Sequence, residues 1–87
     1  MEITLHVPNY APERGIKYHW EDDSGITVRL EAGEVIIRAN PAGLRTLANH
    51  LLNLAQEGMP VGSHMLFDSD NGLEDESVTL VLQKDED

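Results

Sequence analysis

The residues with the most chemical potential are four histidines, His6, His19, His50 and His64, in a chain that has no cysteine. Without thiols there are no disulfides, no thiolate nucleophile and no cysteine–zinc site. No two histidines have the i, i+4 spacing of a helical zinc pair, and no H-E-x-x-H occurs. His6 and His64 meet only if their strands are neighbours; either of them with Asp68 makes a metal-binding or catalytic alternative. Asp68-Ser69-Asp70-Asn71-Gly72 has the look of a calcium loop. The EF-hand pattern wants glycine at the sixth position and a bidentate glutamate at the twelfth; here Gly72 comes one place early and the twelfth residue is Thr79. Weak divalent binding by these carboxylates stays as the alternative to no metal. Ser63 beside His64 makes neither a nucleophile elbow nor a triad. There is no phosphate-binding loop and no dinucleotide fingerprint. The expectation is a binding protein rather than an enzyme, with no cofactor.

Charge says more. Sixteen acidic residues face six basic ones, a formal charge of −10. Nucleic acid and anionic membrane are repelled by such a surface, whereas a basic protein is attracted. The acids are concentrated: Asp68, Asp70, Glu74, Asp75, Glu76, Asp85, Glu86 and Asp87 against the single base Lys84, with a second run at Glu21, Asp22 and Asp23. Solvation and solubility explain such runs as readily as a cationic partner does. The candidate contact residues are Asp68, Asp70, Glu74, Asp75, Glu76, Glu21, Asp22, Asp23 and Trp20. Trp20 and Tyr18 fit either interface anchors or core residues.

These residues must be held by one domain, because 87 residues leave no room for two. Residues 2–7 and 16–20 alternate apolar and polar, as half-buried strands do. Residues 26–31 and 34–39 alternate too, across Ala32-Gly33. A two-residue loop there sets Val28 opposite Ile37 and Leu30 opposite Val35, all facing the core. Asn40-Pro41 reads as an N-cap followed by a first-turn proline. The helix is expected over 41–57, with Gly58 past its end. Leu44, Leu47, Ala48, Leu51, Leu52, Leu54 and Ala55 form a stripe about 160° wide, predicted to cover the sheet. Gly43 should lie where helix and sheet approach closely. Residues 63–68 and 78–83 complete the strands, around an acidic loop at 69–77, and residues 84–87 should fray. The expected fold is a two-layer α+β domain of order ββββαββ, a mainly antiparallel sheet with one helix on one face. Ile36, Leu66 and Val81 then lie on the open face, where a homodimer could form.

Glu34 to Lys84 resembles immunity protein family 32 of bacterial polymorphic toxin systems. The resemblance rests on Asn40, Gly43-Leu44, Leu47-Ala48, His50-Leu51-Leu52 and Leu54-Ala55, then Pro60, Gly62-x-His64, Asp68, Leu73-Glu74, Ser77 and Leu80. It implies a cytoplasmic protein that binds and neutralises a cognate toxin. A basic toxin such as a nuclease fits the acidic composition. The alternative is a small acidic regulatory or structural module that dimerises through the open sheet face. No basic leader segment and no apolar run of membrane-spanning length is present, which agrees with a cytoplasmic location.

Overall fold

The computed structural model describes residues 1–86 and is α+β. Strands β1 (Ile26–Glu31) and β2 (Glu34–Ala39) are followed by helix α1 (Pro41–Leu54), β3 (His64–Phe67) and β4 (Leu80–Gln83). The four strands form two antiparallel hairpins, β1-β2 and β3-β4, each a separate two-stranded sheet. The expected six-strand order and single sheet are therefore corrected: residues 2–7 and 16–20 are not strands.

The first hairpin follows its sequence closely. Ala32 and Gly33 have φ of 51° and 80°, the pair of positive angles that a primed two-residue turn demands. Val28 pairs with Ile37 and Leu30 with Val35. Burial follows only in part. Ile26 and Val28 are buried, whereas Leu30, Val35 and Ile37 are 64%, 66% and 43% exposed. The helix start explains this, because it lies over the hairpin's open end: a Cβ on Gly43 would fall 2.5 Å from the Gly25 carbonyl oxygen and 2.8 Å from Ile26 Cγ1. The turn end of the hairpin runs out from under that cover.

In the second hairpin Met65 pairs with Leu82 and Phe67 with Leu80, and both Met65 and Phe67 are fully buried. Residues 74–78 join the hairpins without making a ladder. Glu74 N–H donates to the Ile26 carbonyl, Val78 N–H to the Val28 carbonyl, and Val28 N–H to Ser77 Oγ at 3.0 Å. The core is Ile26, Val28, Leu47, Leu54, Met59, Met65, Phe67 and Leu73.

Helix α1 begins as its sequence predicts: Asn40 is extended and its Oδ1 accepts from Gly43 N–H at 2.8 Å. It ends at Leu54, with Ala55 as C-cap, three residues short of the predicted end. Lys84 Nζ donates to the carbonyls of Gln56 and Met59 just beyond. The buried face is the larger correction. Gly43, Thr46, Leu47, Asn49, His50, Asn53 and Leu54 point inward, while Leu44, Leu51 and Leu52 are each about half exposed. The helix thus buries its neutral polar side and only one edge of the leucine stripe.

The N-terminal segment is the reason. Asn49 Nδ2 donates to the His6 carbonyl, Gln56 Nε2 to that of Pro8, and Asn53 Nδ2 to that of Lys17. Tyr10 N–H donates to Gln56 Oε1, His19 N–H to His50 Nε2, and Glu21 N–H to Thr46 Oγ1. Lys17, His19 and Glu21 step two at a time along an extended chain, meeting residues 53, 50 and 46 on successive helix turns. The alternating sequence marks extended backbone, but helix side chains take the place of a partner strand.

Candidate functional site

Tyr18 and Trp20 project from this extended segment onto the inner side of the helix. Their rings stack at 6.0 Å, and with Phe67 they enclose His50, whose ring centre lies 4.7 Å from that of Trp20 and 5.1 Å from that of Phe67. His50 is completely buried. Burial, with a smaller contribution from nearby His19, pushes its pKa down to about 4, so the ring is neutral at pH 7. Because Nε2 accepts from His19 N–H, the ring proton sits on Nδ1, which has no hydrogen-bond partner. The cluster is a packed floor in which His50 is sealed from solvent.

The acidic loop rests on that floor. Gly72 has a φ of 92°, and a Cβ there would run into the Trp20 ring. Leu73 is buried beside it, and Asn71 Nδ2 donates to the Leu66 carbonyl at 2.8 Å. Asp68 Oδ1 accepts from Asp70 N–H, and Asn71 N–H donates to the Asp68 carbonyl, a tight turn that leaves Asp70 exposed to solvent. Glu74 N–H on Ile26 and Ser77 on Val28 pin the far side.

Two acidic runs 45 or more residues apart in sequence are thereby brought close, through contacts made by the residues on either side of Glu21–Asp23: Trp20 with Gly72, and Gly25 and Ile26 with Glu74. The loop lies against residues 20–26, which carry Glu21, Asp22 and Asp23. Asp22, Asp23, Asp70, Glu74 and Asp75 are exposed, and among the described residues none has a cationic side chain at salt-bridge distance. Two acids of the candidate set are engaged. Glu21 is held by the Arg45 guanidinium through bidentate hydrogen bonds, which keep its carboxyl below the usual range and raise the guanidinium. Glu76 is 3.8 Å from Arg29. Asp68 is half-buried and its Oδ1 is used within the turn. Trp20 is half-buried under Gly72, where it supports the loop from beneath.

Among the described residues, no three His, Asp or Glu side chains converge as metal ligands. No described helix is long and apolar enough to cross a membrane. The signal in the sequence that pointed to the buried helix face, and that hydrophobic periodicity passes over, is the composition of the helix's polar side. Thr46, Asn49, His50, Asn53 and Gln56 are neutral groups that both donate and accept, unlike the lysines and glutamates of a solvated face.

Residues 34–85 match the sequence model of the family described as Immunity protein 32. The match covers about three fifths of the chain. The chain belongs to the Immunity protein 32 family. The region of this immunity protein that matches includes β2, the helix, the second hairpin and the whole acidic loop; β1 and the Glu21–Asp23 run lie before it. No curated protein and no solved structure matches the chain.

Proposed function

We propose that this immunity protein binds and neutralises a cognate bacterial toxin of basic surface, such as a nuclease, in the cytoplasm. It does so as a binding protein, without catalysis or cofactor. The observation that carries the reading is the acidic corner: Asp70, Glu74 and Asp75 exposed on a loop fixed from below by Trp20 and Leu73, beside the segment that exposes Asp22 and Asp23, none of the five with a cationic side chain at salt-bridge distance among the described residues. Like charges held close cost self-repulsion in the free protein, and a cationic partner relieves it. A rigid loop also loses little conformational freedom on binding. Toxins that act on nucleic acid carry cationic groups to hold phosphate, and carboxylates aimed at those groups block the substrate's place. Glu21 and Glu76 lie at the rim of the corner, already paired with Arg45 and Arg29, and contribute through the field rather than through a free carboxylate.

The test is protection and capture together. Co-expression of this chain with its cognate toxin, sought among the genes neighbouring its own, should restore growth, and the two proteins should co-purify as a stoichiometric complex. Replacing Asp22, Asp23, Asp70, Glu74 and Asp75 by their amides should abolish protection while leaving the circular dichroism spectrum unchanged. Full protection by the amide variant would remove the acidic corner from the account.

A further inference from the structure

We infer that the outer edge of β2 pairs with the same edge of a second copy of this chain, antiparallel across a two-fold axis, to make one four-stranded sheet. The inference goes beyond the toxin-binding reading and uses the side of the first hairpin away from residues 74–78.

The first observation is an unfinished backbone. In an antiparallel pair joined by a two-residue turn, successive residues send their N–H and C=O groups alternately toward the partner strand and away from it. Glu34, Ile36 and Arg38 therefore bond to Glu31, Arg29 and Thr27 of β1, whereas Val35 and Ile37 point theirs outward. On β1 the outward groups are in use. The Ile26 and Val28 carbonyls accept from Glu74 and Val78 N–H, and Val28 N–H donates to Ser77 Oγ. On β3, Leu66 N–H donates to Tyr18 Oη and its carbonyl accepts from Asn71 Nδ2. Among the described residues, nothing outside the hairpin bonds to the N–H or C=O of Val35 or Ile37. Strand β2 also lacks the devices that blunt an edge. Its register runs through six residues without a bulge or a proline, and Val35, Ile36 and Ile37 follow one another between its charges.

The second observation is charge, and it selects the occupant. Glu34 and Arg38 are exposed on one face of β2, and among the described residues neither has an opposite charge at salt-bridge distance. Across the hairpin Glu34 faces Glu31 and Arg38 faces Thr27. An isologous contact needs a patch that complements itself. With Ile36 on the two-fold axis, Glu34 stands opposite residue 38 of the second copy and Arg38 opposite its residue 34, so each charge meets its opposite. The same register satisfies the backbone: Val35 and residue 37 of the second copy exchange both N–H···O bonds, and Ile37 does so with its residue 35. On the other face the exposed Leu30, Val35 and Ile37 of both copies join in one apolar cluster. A shift of two residues either way, the smallest that keeps the backbone bonds, sets Glu34 opposite residue 36 or 40 and loses both ion pairs. A strand of an unrelated protein meets the same backbone groups without this match of acid and base. Two added strands with a shared apolar face also stabilise a hairpin that is marginal as two strands alone.

Sedimentation equilibrium of the purified chain over a dilution series tests the proposal, and it needs no toxin. The mass should rise with concentration from 9.7 kDa toward twice that. Glu34→Arg and Arg38→Glu each set like charges opposite one another, and each should weaken association by about tenfold or more. An equimolar mixture of these two variants should restore it, because the basic edge of one then faces the acidic edge of the other. Val35→Pro removes an outward N–H and spares the bonds to β1, so it should hold the mass at the monomer value with unchanged circular dichroism. If that variant loses its circular dichroism signal, the mixed charge variants decide. A natural chain that is monomeric at every concentration would overturn the proposal. So would charge variants that associate as well as the natural chain, or a mixture no tighter than either variant alone. A monomeric natural chain whose toxin binding is abolished by Val35→Pro would give the edge to a strand of the toxin instead.

Discussion

Gly72 and Trp20 form the contact on which the acidic corner stands. The glycine has a φ of 92° and its Cα faces the indole, so a side chain there is excluded twice, by backbone conformation and by the ring. Gly72→Ala should cost about 2–4 kcal/mol in urea titration, combining overpacking with a left-handed backbone. A loss under ~1 kcal/mol would mean that loop and indole do not touch. His50 supplies a second test at this scale. Its pKa is lowered from 6.5 to about 4 in the folded chain. As pH falls, the unfolded chain takes up the proton first, so this contribution to stability is complete above pH 6.5 and is lost between there and about pH 4. The loss is roughly 3 kcal/mol at most, since each tenfold difference in proton affinity between the folded and unfolded chain is worth about 1.4 kcal/mol. The ring resonances of His50 in an NMR titration should stay those of a neutral imidazole down to about pH 5. A midpoint near the ordinary histidine value would contradict the closed aromatic cluster. Gly43 belongs to the same class of contact: Gly43→Ala gains helix propensity but must displace Gly25 or Ile26, for a net loss of about 1–3 kcal/mol.

Helix α1 separates what sequence could specify from what it could not. Its start was legible because Asn40 and Pro41 act locally, and the hairpin register was legible because Ala32-Gly33 fixes parity. Gly43 was legible too, since a glycine inside a helix calls for a close neighbour. The buried face was not legible, because hydrophobic periodicity ranks residues by type and Leu44, Leu51 and Leu52 outrank Thr46, Asn49 and Asn53. The structure inverts that order by laying residues 4–21 along the helix, where each amide or hydroxyl completes a backbone hydrogen bond. The same contacts explain why alternating residues 2–7 and 16–20 make no ladder. The approach of the two acidic runs was also invisible in the sequence, since it depends on Trp20 reaching Gly72. Paired substitutions check the inverted helix. Leu47→Ala should cost about 2–5 kcal/mol, as for a buried leucine. Leu51→Ala should cost less than about 1 kcal/mol. Gln56→Ala removes the bonds to Pro8 and Tyr10, so the Tyr10 amide should lose its hydrogen-exchange protection while the hairpins keep theirs. Equal losses for Leu47 and Leu51 would restore the leucine stripe as the core face.

At the level of the whole molecule, the polar helix side is sealed by the N-terminal segment, the leucine side is open, and five exposed, unpaired acids lie on the 69–77 loop and the segment beside it. This distribution gives one small domain two chemically different surfaces, one acidic and one apolar. The acidic corner is expected to attract the toxin. The most direct measurement is the association rate of the chain with its toxin by stopped flow at two ionic strengths, for the natural chain and for the variant carrying amides at positions 22, 23, 70, 74 and 75. The natural chain should associate at least about tenfold faster at low salt than the variant, and its rate should fall steeply as salt is added while the variant's stays nearly flat. Equal rates and equal salt slopes for the two proteins would contradict the account.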